Sequence, residues 1–158
     1  MQWSEIDFES RWWTIPADKS KNHLAHRVPL SAAAVRVLTA VRENNLKKKR
    51  IAKSPWVFPS PRGNDHIREM QKAVQRIRQT AEVDFRAHDF RRTAASMMAS
   101  MGIPRLTISK ILNHVERGVT AVYDRHSYDK EKREALGAWS RRLIAIVSEL
   151  GEVRQAAH

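Results

Sequence analysis

Two histidines, an arginine, a tyrosine and a lysine carry side chains whose chemistry suits a phosphate. His88 and Arg91 lie three residues apart in His88-Asp89-Phe90-Arg91. At the predicted start of a helix, that spacing puts both on one face. A guanidinium offers a planar fork to two anion oxygens, an imidazole changes state near neutral pH, and a helix N-terminus favours an anion. The same pattern, taken alone, also describes an ordinary surface pair. Ile111-Leu112-Asn113-His114 places a second histidine at a helix end behind an apolar Leu112, and Tyr123 follows nine residues later. A phenol is a poor nucleophile at neutral pH unless a proton acceptor and a charge stabiliser flank it. Tyr123 alone equally describes a half-buried packing residue, with Val119 and Val122 as the core face of its segment. Lys21, in a polar loop between two predicted strands, has the chemistry to protonate a departing oxygen, or simply faces solvent.

The charge balance points the same way. The 158 residues carry 29 Lys and Arg against 17 acidic residues, a net charge of +12, and the isoelectric point is about 10.7. Such a surface attracts polyanions and speeds encounter with them. No apolar run is long enough to cross a bilayer, and no helical segment pairs a basic face with a bare apolar one, so a membrane is not the expected partner. Zero cysteines exclude disulfides and thiolate metal sites. Met1-Gln2-Trp3-Ser4-Glu5 lacks the basic start and apolar core of a signal peptide. A hydrophobic content of 42% over this length suits one domain, residues 1–158, with its own core.

The scaffold reads as α+β and mainly α, a helical domain with a small antiparallel sheet of about three strands near the N-terminus. Residues 2–8 and 11–16 alternate apolar and polar side chains around a turn at Glu9-Ser10. After the polar loop 18–22, His26 to Leu30 makes a third strand, whose Pro29 belongs at a sheet edge. Ser31 is a good N-cap for a helix with Ala34, Val35, Leu38 and Val41 on its apolar face, ending near Asn44-Asn45. The run Lys47-Lys48-Lys49-Arg50 is either a solvated loop or a phosphate contact. Trp56 to Pro59 is a short apolar segment closed by a turn at Ser60-Pro61-Arg62-Gly63. Helices are expected over 66–80, over 89–101 with a stop at Gly102, from Pro104 to about His114, around 119–125, and over 129–150. The last carries one stripe of Leu136, Trp139, Leu143, Ile146, Val147 and Leu150.

The order of these features resembles the tyrosine recombinases of the phage integrase type: a lysine in a β-turn, then His-x-x-Arg, then Leu-Asn-His, then a tyrosine nine residues on. The flanking text is similar as well, in Trp3-Ser4-Glu5-Ile6-Asp7, Arg27-Val28-Pro29-Leu30-Ser31, Val57-Phe58-Pro59, and His88 through Ala95. It continues in Gly118 through Arg125 and in Lys132-Arg133-Glu134-Ala135-Leu136. The resemblance spans about residues 2–142.

It implies that Tyr123 attacks a DNA phosphodiester to form a 3′-phosphotyrosyl link and release a 5′ hydroxyl, conserving bond energy so that neither ATP nor metal is required and no cofactor is expected. Arg91 would clamp the nonbridging oxygens, His88 would assist proton transfer at the nucleophile, His114 would hydrogen-bond the phosphate, and Lys21 would be the general acid. Double-stranded DNA is the implied partner, with self-association on it (a tetramer in the full-length family) and a cytoplasmic, bacterial or phage-encoded setting. Tyr128 is a rival nucleophile, disfavoured by its spacing from His114. The family carries a further catalytic arginine upstream of the strand that begins here at Gln2-Trp3, and a separate N-terminal DNA-clamping domain. The chain is therefore expected to be a fragment that binds DNA and cleaves it poorly.

Other readings stay open on sequence alone. Residues 89–114 could form a helix-turn-helix of a noncatalytic regulator, which accounts for the charge but not for Lys21 or the His114-to-Tyr123 spacing. A relaxing topoisomerase would share the chemistry without exchanging strands. The last helix could pack on its own domain or on a neighbouring subunit.

Overall fold

In the computed structural model, residues 1–63, 65–114 and 126–156 are described, with side chains to residue 150. Among them are five helices, α1 (Ala32–Leu46), α2 (Gln71–Ala81), α3 (Ala87–Ser100), α4 (Arg105–Ile111) and α5 (Asp129–Ala156), and three strands, β1 (Ile6–Asp7), β2 (Trp12–Ile15) and β3 (His26–Pro29). The sheet is antiparallel in the order β1-β2-β3, so the α+β, mainly helical reading holds. Pro29 sits opposite Trp12 on β3, an outer strand, where a missing N–H is tolerated. The helix expected around 119–125, and Tyr123 with it, lies outside the described residues.

The first expected strand is mostly a 3₁₀ turn, Trp3–Glu5, leaving β1 two residues long. Glu5 causes the difference. Its Oε2 accepts from the Gln2 backbone N–H at 2.9 Å and from the Trp13 indole at 3.2 Å, and Oε1 pairs with Lys19 at 2.6 Å. A carboxylate serving its own segment's backbone competes with extended pairing. The β1–β2 turn is closed by Asp7, which accepts from the Ser10 N–H at 2.9 Å, and passes through Arg11 at φ 58.

The helix expected over 66–80 begins only at Gln71. Residues 65–68 are spent otherwise: Pro59 bridges to His66, Ile67 N–H donates to Phe58 at 2.9 Å, and Asp65 accepts from the His66 N–H at 2.8 Å and from Arg68. Gly63, at φ +81, allows the close approach behind this turn, since a Cβ there would lie 2.5 Å from the Arg50 carbonyl oxygen.

The main core lies between sheet and α1: Ile6, Leu30, Leu38 and Val57 are buried, with Trp13, Ala34, Val35 and Val41 packed around them. Ser31 caps α1 as expected, accepting from Ala34 N–H at 3.3 Å. α5 packs against β3, α4, α3 and α1. Its expected stripe divides: Leu136, Trp139 and Ile146 are half-buried, beside a buried Ala135, whereas Leu143, Val147 and Leu150 are exposed. The first half therefore packs on its own domain. Among the described residues no helix is long and apolar enough to cross a membrane.

Among the described residues Met98 on α3 is the largest side chain with almost no exposure, at 1%. Met98→Ala removes buried methylenes and leaves a cavity, and should cost about 2–5 kcal/mol. A urea-midpoint change equivalent to less than 1 kcal/mol would show that α3 is not anchored there.

Candidate active site

α3 and α4 end in the same way. Gly102 N–H donates to Ala99 at 3.0 Å and Ile103 N–H to Met98 at 3.1 Å, with Gly102 at φ +79. This is the Schellman arrangement, which consumes orphan carbonyls at a helix end. At the end of α4, Asn113 N–H donates to Lys110 at 3.2 Å and His114 N–H to Ser109 at 3.0 Å, with Asn113 at φ 55. α4 therefore stops at Ile111, shorter than the expected run to His114, because Asn113 takes the left-handed conformation that Asn tolerates better than most residues. Leu112 is half-buried. Pro104 stands just before the helix, as its cap.

This helix end is where two of the candidate residues, Arg91 and His114, meet. Arg91, on the second turn of α3, donates through Nη2 to the Leu112 carbonyl, and the same nitrogen lies 3.2 Å from His114 Nε2. Arginine has only donors, so the second contact uses His114 with Nε2 unprotonated. Among the described residues the Nε and Nη1 donors of Arg91 have no protein acceptor. His88 lies three residues earlier, exposed on the first turn of α3, with no polar partner among the described residues. Tyr123 lies outside them, and Tyr128, at φ 54, stacks edge-on against His126, 4.6 Å between centroids.

Lys21 is exposed, and the residues on either side of it are held against α4. Asn22 Nδ2 donates to Asn113 Oδ1 at 3.0 Å, and Asn113 Nδ2 donates to Ser20 Oγ at 3.1 Å. Lys19, by contrast, is committed to Glu5 and Gln2, each at 2.6 Å. Sequence reasoning passed over Ser20, Asn22 and Asn113. An Asn at a predicted helix end, where a left-handed residue is wanted, was the available signal.

Two further residues brace the site and were also missed. His26, at the start of β3, is buried, and its Nε2–H donates to the Ile111 carbonyl at 3.2 Å. Burial lowers its pKa below the ordinary 6.5, helped by repulsion from Lys132 and Arg91 and opposed by the bond to Ile111. Lys132 on α5 is buried too, donating to Asp129 at 3.0 Å and to the Arg27 carbonyl at 3.1 Å. A basic residue at a family-like position thus clamps α5 to β3. A groove of about 820 Å³ between α2 and residues 82–87 contains none of the candidate residues.

The site thus pairs a guanidinium with an imidazole at a helix end, beside a tethered lysine loop. Comparison with known proteins gives the class. The phage integrase family model matches residues 1–130, and the chain belongs to that family. It is 27% identical over 143 residues to the prophage integrase IntA of Escherichia coli (strain K12), covering 88% of this chain and 33% of that protein. It is 26% identical over 152 residues to the putative protein IntB of the same organism, covering 87% of this chain and 38% of that protein. The chain thus spans between about a third and two fifths of the length of these curated relatives. No solved structure matches it.

Because the folded pKa of His26 is depressed, protonation favours the unfolded chain. Its contribution to stability is complete above about pH 6.5 and is lost as pH falls below that value toward the folded pKa. The urea midpoint should fall between pH 7 and pH 5.5, with a shallower fall in His26→Gln. Equal slopes in the two proteins would exclude His26 as the source.

Proposed function

We propose that this chain is the catalytic part of a site-specific DNA recombinase that works through a tyrosine nucleophile. The observation that carries the reading is the convergence at the end of α4: Arg91 touches His114, and the loop holding Lys21 is bonded to Asn113 beside it. These residues are far apart in sequence, and a helix-turn-helix regulator has no use for their meeting. In this reading the Tyr123 oxygen attacks the scissile phosphorus and its proton passes to His88. The bond from phosphorus to the 5′ oxygen breaks, and that oxygen takes a proton from Lys21. Arg91 and His114 hold the nonbridging oxygens while charge accumulates on them. Attack by a 5′ hydroxyl from another strand reverses these steps and frees Tyr123.

The charge of +12 supports binding to duplex DNA of any sequence, steeply weakened by salt. The cations of residues 47–50 add to that field. In this reading the loss of a preorganised donor such as Arg91 costs about 10²–10³-fold in rate.

A nicked duplex that traps the covalent intermediate tests this. Adduct formation is expected, abolished in Tyr123→Phe and retained in Tyr128→Phe. Adduct that survives Tyr123→Phe, or duplex binding that ignores salt, would overturn the reading.

Self-association on DNA belongs to the same proposal. Leu143 and Ile144 are each 44% exposed, Val147 62% and Leu150 59%. Light scattering should show a mass that rises with concentration on DNA and stays monomeric once residues 143–158 are removed. Identical masses for the two would exclude this face.

A further inference from the structure

Ser20, Asn22 and Asn113 form a closed ring of side-chain hydrogen bonds. Ser20 Oγ–H donates to Asn22 Oδ1 at 2.7 Å, Asn22 Nδ2–H to Asn113 Oδ1 at 3.0 Å, and Asn113 Nδ2–H to Ser20 Oγ at 3.1 Å. All three bonds run in one direction around the ring, so each polarises the next. Asn22 Oδ1 also accepts from the Leu24 N–H at 3.2 Å, and Ser20 is only 6% exposed. Two of the bonds cross more than 90 residues of sequence.

Ser20 and Asn22 are the immediate neighbours of Lys21, and Asn113 is the immediate neighbour of His114. We infer that the ring is a positioning device that locks the Lys21 backbone to the end of α4. The ammonium of Lys21 and the imidazole of His114 are then presented to one phosphate together. The inference rests on the reading of Lys21 as general acid. Lys21 Nζ must reach the leaving 5′ oxygen of a phosphate whose other oxygens are held by Arg91 and His114, and a misplacement of about 1 Å can cost about 10²-fold in rate. A long side chain on a loop meets that tolerance only if its backbone is fixed relative to the group holding the phosphate. The ring does so through three side chains that touch no reacting atom.

The test compares two nicked duplexes in single turnover, one with the natural 5′ oxygen at the cleaved phosphate and one with sulfur there. A thiol has a pKa of about 8.5, so the thiolate departs without a donated proton. Asn113→Gly removes the ring while glycine keeps the left-handed backbone. It should slow cleavage of the oxygen duplex at least tenfold and of the sulfur duplex less than threefold. Ser20→Ala should do the same, and Ser20→Thr, which keeps the hydroxyl, should recover most of the rate. Equal slowing on both duplexes, or none on either, would overturn the inference.

Hydrogen exchange on the same proteins reads the tether directly. Amides 21–24 should exchange at least tenfold faster in Asn113→Gly with those of 105–112 unchanged, and unchanged amides at 21–24 would also overturn it. If the unsubstituted chain cuts neither duplex, the cleavage reading fails, while exchange still decides whether the ring holds the loop.

Discussion

A helix that ends inside a protein leaves carbonyl groups without intrahelical partners, and each must find a donor. At the end of α4 this requirement organises the surrounding structure. Asn113 and His114 N–H groups return to the Lys110 and Ser109 carbonyls. The Ile111 carbonyl takes a bond from His26 of β3, and the Leu112 carbonyl from Arg91 of α3. Sheet, α3 and the Lys21 loop therefore register on one another through a single helix end. An Arg91 substitution would leave the half-buried Leu112 carbonyl short of a donor, so Arg91 has a structural part to play beside the chemical one proposed for it.

The electrostatics follow from the same arrangement. The C-terminal end of a helix carries partial negative charge and favours cations, and Arg91 collects there, with His26 and Lys132 buried behind it. Lys132 is held by Asp129 and by the Arg27 carbonyl, and Asp129 also takes Arg27 at 2.8 Å. A buried ammonium is tolerable only when paired and hydrogen-bonded. Mutual repulsion of these cations is one reason the burial of His26 disfavours its charged form. An anion held by Arg91 and His114 would relieve part of that repulsion.

α5 divides its work along its length. The half from Lys132 to Trp139 closes the domain over β3 and α4, while Leu143, Ile144, Val147 and Leu150 beyond it remain exposed. The same helical period thus serves a core and a free face, because the domain beneath α5 is shorter than the helix.

Much of this was legible in one dimension. Alternation and helical period placed the sheet and all five described helices, Ser31 and Gly102 marked helix ends through local chemistry, and the order of Lys21, His88, Arg91, His114 and Tyr123 carried the family. All of these depend on a residue and its near neighbours. The 3₁₀ turn at Trp3–Glu5 and the late start of α2 were not legible, because Glu5 answers to Trp13 and Lys19, and Ile67 pairs with Phe58. Nor was the ring of Ser20, Asn22 and Asn113, which joins residues more than 90 positions apart. The sequence by itself determined which groups are available and which elements carry them. Only the tertiary structure decided that Arg91, His114 and the Lys21 loop meet at one helix end, because hydrogen-bond partners for buried carbonyls and amides are chosen by packing in space.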